Sequence, residues 1–205
     1  MSTVDVFEFF DDHEKDEQVY GDGSYGRLSV SENKDWGTPP DFVAALVEMF
    51  PAGIDLDPCS NSHSLVPTKV AYVLPEVDGL VSTWKYPTIY VNPPYGRDKA
   101  RGTTIKDWLA KCAHAHQKYG SEVVALVPVA TNTSHWRDYV FPVVSAICFV
   151  SEPRFKFCFH GKVDNKGAPM AVAVLYWGTN LVRFQQVFSR FGHIMCGLAR
   201  LTVTR

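Results

Sequence analysis

The sequence has few cysteines and lacks any apolar run long enough to cross a membrane. Its five cysteines stand far apart, without a C-x-x-C pair or a histidine cluster, so neither a disulfide framework nor a zinc site is predicted. The N-terminus also lacks the basic start and apolar core of a signal peptide. We therefore expect a cytoplasmic protein with reduced thiols, no bound metal and no membrane contact.

The composition is that of an ordinary globular domain. Hydrophobic residues make up 46% of the 205 residues and aromatic residues make up 13%. This length is enough for one α/β domain with a substantial core. The sequence contains no internal repeat, no linker that would mark a second folded domain and no indication of an oligomeric state.

Charge is unevenly distributed along the chain, although the formal net charge is only −2. Residues 1–34 contain nine acids and three bases, a net charge of −6, which leaves +4 for residues 35–205. The acidic segment is typical of a mobile tail, and its Phe9-Phe10 pair leaves docking on a partner or on the protein itself as an alternative. We expect a tail over residues 1–34 and one folded domain over residues 35–205.

Hydrophobic spacing beyond the tail predicts alternating strands and helices. Strands are predicted over 54–57, 88–91, 122–129, 146–150, 154–159 and 169–177, and helices over 41–50, 104–119, 134–139 and 180–191. Thr38 is expected to cap the first helix, and Gly120 to end the second. The predicted fold is a doubly wound α/β sheet, mostly parallel, with an antiparallel hairpin near the C-terminus joined through a turn at 164–167.

The most informative segment is the predicted strand at 88–91 that runs directly into Asn92-Pro93-Pro94-Tyr95. Neither proline can donate to a β-ladder, so the strand must end at this point. Residues that precede a proline are held in extended or turn conformations, which restricts the backbone at Asn92 and Pro93. Asn92 is therefore expected at the carboxyl end of a strand, where open α/β sheets bind their ligands.

This arrangement suits the recognition of a planar amino group on a base. The two N–H groups of an exocyclic amine can donate to the Asn92 side-chain oxygen and to the Pro93 carbonyl, while Tyr95 stacks on the ring. Accepting both N–H groups stabilises positive charge that grows on the nitrogen as it attacks. The alternative is a plain Pro-Pro turn after a strand.

The chain here resembles the amino-methyltransferases that use S-adenosylmethionine and carry an [Asn/Asp/Ser]-Pro-Pro-[Tyr/Phe/Trp] signature. More narrowly, it resembles the small phage and prophage DNA adenine-N6 methyltransferase (Dam) family. The narrower resemblance rests on ordered blocks at 35–39, 56–60, 78–80 with Trp84, 91–96, 126–133 with Trp136, and 154–157. Together the blocks cover roughly residues 35–178.

The resemblance implies a Rossmann-like methyltransferase sheet and transfer of a methyl group from S-adenosylmethionine to N6 of adenine in DNA. Transfer is then a direct in-line displacement that needs no covalent enzyme intermediate and no metal, so positioning and charge stabilisation supply the catalysis. The adenine must be flipped out of the duplex to reach the site. Asn92, Pro93, Pro94 and Tyr95 are the catalytic candidates.

The resemblance also points to an acidic residue at the end of the strand 54–57. Asp57, followed by Pro58 and Cys59, resembles the acid that pairs with the ammonium of the cofactor's methionine portion. A turn or capping role is the alternative for Asp57, and Asp55, which shares a strand face with it, is a secondary candidate. The Gly-rich loop of many methyltransferases is absent from this sequence.

Two further blocks are candidates for cofactor contacts. Trp36, Thr38 and Pro39 resemble the block that closes over the methionine end, with helix capping as the alternative role of Thr38. Asp78, before Gly79-Leu80, resembles the acid that holds the cofactor's adenine amino group. An ordinary Asp-Gly turn is the alternative.

Three basic residues follow the Asn92 motif in a predicted loop. Arg97, Lys99 and Arg101 are candidate contacts to DNA phosphates, and a solvated loop is the alternative.

The Asn92 motif recognises an amine and not a particular polymer, so RNA adenine, cytosine N4 or a protein glutamine is an alternative substrate. A catalytically silent nucleic-acid-binding protein is the rival from a different class, and the intact Asn92 motif argues against it.

Overall fold

The computed structural model of the chain describes residues 36–151, 155–159, 162–163, 168 and 170–197. The predicted acidic tail at 1–34 and the predicted turn at 164–167 lie outside the described residues. Among the helices that are described, none combines the length and the apolar character that a membrane span requires.

Fourteen elements, numbered in chain order, form the described part of the fold. The helices are α1 (Pro40–Met49), α2 (Ile105–Tyr119), α3 (Ser134–Tyr139) and α4 (Leu181–Phe188). The strands are β1 (Trp36–Gly37), β2 (Ile54–Asp57), β3 (Thr68–Ala71), β4 (Thr88–Val91), β5 (Glu122–Pro128), β6 (Ala146–Val150), β7 (Cys158–Phe159), β8 (Lys162–Val163), β9 (Val172–Trp177) and β10 (Gly192–Cys196).

Seven strands build one central sheet in the order β10-β6-β9-β5-β4-β2-β3. The pairs β3–β2, β2–β4 and β4–β5 are parallel, and β9 pairs antiparallel with both β5 and β6. A small antiparallel sheet of order β1-β7-β8 lies beside it. The predicted α/β sheet is confirmed. Its first half, from β3 to β5, is parallel, and the strands β9, β6 and β10 are antiparallel to their neighbours.

Helices cover both faces of the central sheet, as a buried parallel sheet requires. Ile89 and Val91 of β4 pack in the layer that contains α2 and α3, whereas Tyr90 packs in the layer that contains α1 and α4. Successive side chains of a strand point to opposite faces, so Asn92 continues the face of Tyr90. The alternation places Asn92 toward the α1 side of the sheet.

Local signals in the sequence set the ends of α2. The Thr104 hydroxyl accepts from the Lys106 N–H, and the Asp107 carboxylate accepts from the Thr104 N–H, which forms a capping box. Gly120 ends the helix with φ +69, a left-handed conformation that glycine adopts without strain. The prediction that Gly120 ends this helix is confirmed.

The chain departs from the prediction where strand partners depend on distant segments. The predicted strands at 154–159 and 169–177 do not pair with each other, because β7 pairs with β8 while β9 inserts between β5 and β6. The edge strands β3 and β10 were not predicted. Gly192 reads locally as a helix end, yet it begins β10, where a Cβ atom would lie 2.0 Å from the Phe149 carbonyl oxygen.

Candidate functional site

The candidate site lies where two adjacent parallel strands end. β2 ends at Asp57 and β4 ends at Val91, and the register that pairs Leu56 with Ile89 brings both ends to the same edge of the sheet. Asp57 and Asn92, which are 35 positions apart in the sequence, therefore lie at the same carboxyl edge. This edge is where open α/β sheets bind ligands.

The Asn92 side chain has a defined orientation. Its Nδ2 donates to the Trp36 backbone carbonyl at 3.0 Å. A carbonyl can only accept a hydrogen bond, so this contact requires the nitrogen on the Trp36 side and leaves Oδ1 on the other. The half-buried Asn92 thus presents an acceptor oxygen at the strand end.

Tyr95 is turned toward the sheet. Its hydroxyl donates to the Leu126 carbonyl of β5 at 3.3 Å and makes a longer contact of 3.5 Å with Asn92 Oδ1. The edge of its ring meets the Phe157 ring, with centroids 5.9 Å apart. Burial raises the pKa of Tyr95 well above its ordinary value, so the hydroxyl remains a donor.

The two prolines separate these side chains. Pro93 is buried and Pro94 is half-buried. In the part of the chain that the structure describes, no hydrogen bond occupies the Pro93 carbonyl oxygen. The motif therefore offers two acceptors, Asn92 Oδ1 and Pro93 O, in neighbouring positions.

The block before α1 forms one wall of the site. Trp36 lies in β1, and its ring meets Phe157 edge-on with centroids 5.1 Å apart. Thr38 is buried, and its hydroxyl makes a 2.7 Å hydrogen bond with the Tyr90 hydroxyl. The prediction that Thr38 caps α1 is wrong, because the N-cap is Pro39 and the Thr38 hydroxyl is already bonded to Tyr90.

Asp57 is a buried carboxylate, with only 4% of its surface exposed. Burial raises its pKa to about 6, and the Cys59 N–H, which donates to Oδ1 at 3.1 Å, offsets only part of that effect. No lysine or arginine of the described segments pairs with this carboxylate. An unpaired buried carboxylate is stabilised when a cationic group binds beside it.

Asp55 is occupied at the other end of β2. Its carboxylate accepts from Lys69 Nζ at 2.7 Å and from the Thr88 hydroxyl at 2.8 Å. These contacts satisfy the charge through residues at the start of β4 and on the edge strand β3. Asp55 thus already has a cationic partner, Lys69, and its role as a secondary cofactor acid stays a prediction.

Pro58 and Cys59 connect Asp57 to the rest of the site. The Cys59 thiol lies among Asp57, the Asn92 backbone N–H and Tyr95, and burial raises its pKa well above the ordinary range. The thiol is therefore neutral. The buried Pro58 touches Gly79 so closely that a Cβ atom on Gly79 would lie 1.8 Å from the Pro58 carbonyl oxygen.

This contact brings the Asp78 loop against the Asp57 loop. Asp78 Oδ1 accepts from the Leu80 N–H at 2.8 Å, which is the Asp-Gly turn that the sequence suggests. The same oxygen accepts from the Arg101 guanidinium. Asp78 therefore serves as a turn residue and as one half of an ion pair.

The three basic residues of the loop after Tyr95 have different environments. Arg97 and Lys99 are exposed. Arg101 is half-buried and points to Asp78, and its backbone N–H donates to Asp98. Arg97 and Lys99 are thus exposed, whereas Arg101 is only partly accessible and bonded to Asp78.

The structure adds Tyr90 and Phe157 to the candidate site. Tyr90 precedes Asn92 by two positions on one strand, so alternation alone could have placed it beside Asn92. Phe157 belongs to a segment that the resemblance already singled out, but its contact with Trp36 and Tyr95 depends on the small β1-β7-β8 sheet. Among the residues described, no group of three or more His, Cys, Asp or Glu side chains could hold a metal ion.

A comparison with known protein families found a match that covers most of the chain. The family model described as DNA N-6-adenine-methyltransferase (Dam) matches residues 26–193. This range includes every residue of the candidate site. A comparison with curated proteins found no match.

Proposed function

The chain belongs to the DNA N-6-adenine-methyltransferase (Dam) family, a family of DNA adenine methyltransferases, and we propose that it methylates the N6 amine of a flipped adenine by direct transfer from S-adenosylmethionine. The observation that carries the proposal is the orientation of Asn92. Its Nδ2 is held by the Trp36 carbonyl, which leaves Oδ1 as an acceptor at the carboxyl end of β4.

The proposed cofactor site consists of the carboxyl end of β2 and the loop that follows β3. S-adenosylmethionine supplies the methyl group on a sulfonium and carries an ammonium group. The buried carboxylate of Asp57, which lacks a cation among the described residues, fits that ammonium. Asp78 lies in the adjoining loop, held by the Gly79–Pro58 contact, and suits an amino group of the cofactor's adenine.

Trp36, Thr38, Pro39, Pro58 and Cys59 complete this part of the proposed site. Thr38, Pro39 and Pro58 are buried, and Trp36 and Cys59 are half-buried. Side chains packed in this way exclude water from a bound methionine portion. A site with little water strengthens the interaction between a carboxylate and an ammonium.

The target adenine binds on the side of Asn92 that carries Oδ1, opposite the Trp36 carbonyl. Its N6 amine donates one N–H to Asn92 Oδ1 and the other to the Pro93 carbonyl. The nitrogen lone pair would form the bond to the methyl carbon as the bond between that carbon and the sulfonium sulfur breaks, which leaves a neutral thioether. The methylated amine then releases one proton to solvent water. The two acceptor oxygens stabilise the positive charge that develops on the nitrogen.

In the proposed site, the half-buried Tyr95 ring stacks on one face of the flipped base. Stacking on an aromatic ring replaces part of the stacking energy that the base loses when it leaves the duplex. Pro94 holds the chain between the two acceptors and this ring. Arg97 and Lys99, both exposed, are available for the DNA phosphates on either side of the flipped nucleotide.

The experiment that tests this proposal uses the full chain, unmethylated genomic DNA and S-adenosylmethionine labelled in its methyl group. We expect label in N6-methyladenine after digestion to nucleosides, and far less label in the same time with the Asn92→Ala variant. RNA and a duplex without adenine serve as controls. Label in N4-methylcytosine, label in RNA alone, or an absence of label from the parent would contradict the proposed function.

A further inference from the structure

A buried hydrogen bond links the block before α1 to β4. The Thr38 and Tyr90 hydroxyls are 2.7 Å apart, and the two residues are separated by 52 positions in the sequence. Thr38 is 4% exposed and Tyr90 is fully buried. This contact does not involve the cofactor acids or the amine acceptors directly.

The Thr38–Tyr90 bond has a neighbour that does reach the acceptors. Trp36 precedes Thr38 by two positions and accepts from Asn92, which follows Tyr90 by two positions. The segment 36–38 thus runs antiparallel to the segment 90–92, joined by two hydrogen bonds that use side chains. Gly37 lies between them, where a Cβ atom would meet the Cys158 Cβ at 3.4 Å.

We propose that Tyr90 is a positioning residue, which acts through Thr38 to hold the Trp36 carbonyl against Asn92 Nδ2 so that Oδ1 faces the substrate amine. This inference rests on the proposed function of Asn92. Tyr90 itself touches neither the amine nor the methyl group.

The orientation of an amide needs such control because its two ends have nearly the same shape. A reversed Asn92 places an NH₂ group opposite the N–H groups of the amine, and donor then meets donor. The Trp36 carbonyl prevents this reversal only while it stays within hydrogen-bond distance of Asn92. β1 has two residues and is anchored on one side by β7, so the Thr38–Tyr90 bond supplies the second anchor.

Tyr90 has the right properties for this role. Burial raises its pKa well above the ordinary value, so its hydroxyl stays protonated and bonded to Thr38. Its ring packs against Phe42 of α1 with centroids 6.2 Å apart, and phenylalanine preserves that packing. The Tyr90→Phe substitution therefore removes the hydroxyl with little change in shape.

The test compares Tyr90→Phe with Tyr176→Phe. Tyr176 is equally buried in the same sheet, but its hydroxyl bonds to Glu122 and Asn180, at the far end of β5 from the site. We expect kcat for N6-adenine methylation to fall roughly 3- to 10-fold in Tyr90→Phe, the size of one lost hydrogen bond, and to stay unchanged in Tyr176→Phe. Affinity for S-adenosylhomocysteine should stay within about twofold in Tyr90→Phe.

Two further comparisons separate positioning from structural damage. In an Asn92→Ala background, Tyr90→Phe should have no further effect on kcat, because no amide remains to be oriented. Thr38→Val should reproduce the kcat loss of Tyr90→Phe, and Thr38→Ser, which keeps the hydroxyl, should recover it. Equal kcat losses from Tyr90→Phe in the parent and in the Asn92→Ala background would overturn the inference.

A readout that does not require activity keeps this inference distinct from the proposed function. The Asn92 side-chain amide protons, observed by NMR, should exchange with solvent about tenfold faster in Tyr90→Phe than in the parent or in Tyr176→Phe. A parent that protects this amide but does not methylate DNA contradicts the proposed function alone. A parent that methylates adenine, with unchanged amide exchange and kcat in Tyr90→Phe, overturns the inference alone.

Discussion

Asp78 and Arg101 form an ion pair that joins the proposed cofactor site to the loop proposed to meet DNA. Their side chains are 27% and 23% exposed, so solvent only partly screens the pair. Asp78 is the candidate for the cofactor's amino group, and Arg101 is a candidate for a DNA phosphate. Arg101 occupies Asp78 Oδ1, so the ion pair competes with the ligand that is predicted for each residue.

The first prediction concerns the salt dependence of DNA binding without cofactor. Arg97→Met and Lys99→Met should each reduce the slope of log K against log salt concentration by about 0.9, because each removes one phosphate contact. Arg101→Met should leave the slope unchanged, since Asp78 holds Arg101 away from DNA. DNA-binding titrations at several salt concentrations give the three slopes, and an equal loss from Arg101→Met would show that the pair does not hold.

The second prediction concerns coupling between the two ligands. S-adenosylhomocysteine, by engaging Asp78, should release Arg101 and steepen the salt slope of the parent by about 0.9. Cofactor and DNA then favour each other's binding, and the effect must be reciprocal. Arg101→Met should abolish the coupling, and Arg97→Met should retain it. A parent slope that does not change with S-adenosylhomocysteine would contradict this prediction.

The third prediction concerns Asn92 itself. Asn92→Ala should lower kcat by an amount equivalent to roughly 2–4 kcal/mol of transition-state stabilisation, with cofactor affinity nearly unchanged. Asn180→Ala is the matched control, because Asn180 caps α4 by accepting from the Arg183 N–H. That control should lower the free energy of unfolding by about 1 kcal/mol and leave kcat intact. Near-parental turnover by Asn92→Ala would show that Asn92 has no catalytic role.

The fourth prediction concerns the pH dependence that Asp57 confers. Its pKa rises from 3.8 to about 6 on folding, so the folded protein binds this proton more tightly than the unfolded chain does. Ionising Asp57 therefore reduces stability as pH rises between these two values, by about 3 kcal/mol in all. Asp57→Asn should gain stability relative to the parent over this window, measured by urea unfolding at pH 4 and pH 7.

Asp55→Asn is the control of opposite sign. Burial acts to raise the pKa of Asp55, but the hydrogen bonds from Lys69 and Thr88 outweigh it and hold the pKa below its ordinary value. The stability that Asp55 contributes is present above its unfolded pKa and is lost as pH falls through the folded one. Asp55→Asn should thus lose stability relative to the parent at neutral pH. If the stability of both variants relative to the parent changed with pH in the same direction, the opposite pKa shifts assigned to Asp55 and Asp57 would be contradicted.

The ionised form of Asp57 is also the form that pairs with an ammonium. Affinity for S-adenosylmethionine should therefore fall as pH drops below about 6, and Asp57→Asn should bind weakly at every pH. Tyr95→Ala should retain cofactor affinity and lose about 1–3 kcal/mol of base stacking. Calorimetry at several pH values tests both expectations. If Asp57→Asn bound the cofactor as tightly as the parent, Asp57 would not be part of the cofactor site.

The fifth prediction concerns Gly79. Gly79→Ala places a Cβ atom against the Pro58 carbonyl, so the two loops must separate, at a cost of about 1–3 kcal/mol. Gly120→Ala is the control, because its cost of about 1–2 kcal/mol comes from φ +69 alone, with no atom within 4 Å of the added Cβ. Both variants should melt earlier, but only Gly79→Ala should weaken cofactor binding. Unaltered cofactor affinity in Gly79→Ala would show that the contact between these two loops is not needed for cofactor binding.

The sequence predicted those features that neighbouring residues determine. The apolar strand, the two prolines and the alternation of side chains were enough to place Asn92 at a sheet edge, and Thr104 and Gly120 were enough to place the ends of α2. Features that depend on distant partners were not predicted. Nothing near Thr38 indicates that its hydroxyl bonds to Tyr90 rather than to a helix end.

The sequence likewise did not indicate which partner the Arg101 side chain contacts. A basic residue in a loop fits a phosphate contact, a solvated surface and an ion pair equally well on local grounds. Only the folded chain brings Arg101 to Asp78, 23 positions earlier. The strand partners of β7 and β9 differ from the prediction for the same reason, because pairing is decided by the whole sheet.

The pairing of β1 with β7 has a consequence for how the protein folds. Trp36 lies opposite Phe159, so two segments separated by more than a hundred positions must meet before the wall around Asn92 exists. Closing so long a loop is entropically costly and contributes little until other contacts form. The site should therefore assemble late, and no short fragment of the chain can carry it. Recovery of methylation during refolding should lag behind the formation of secondary structure.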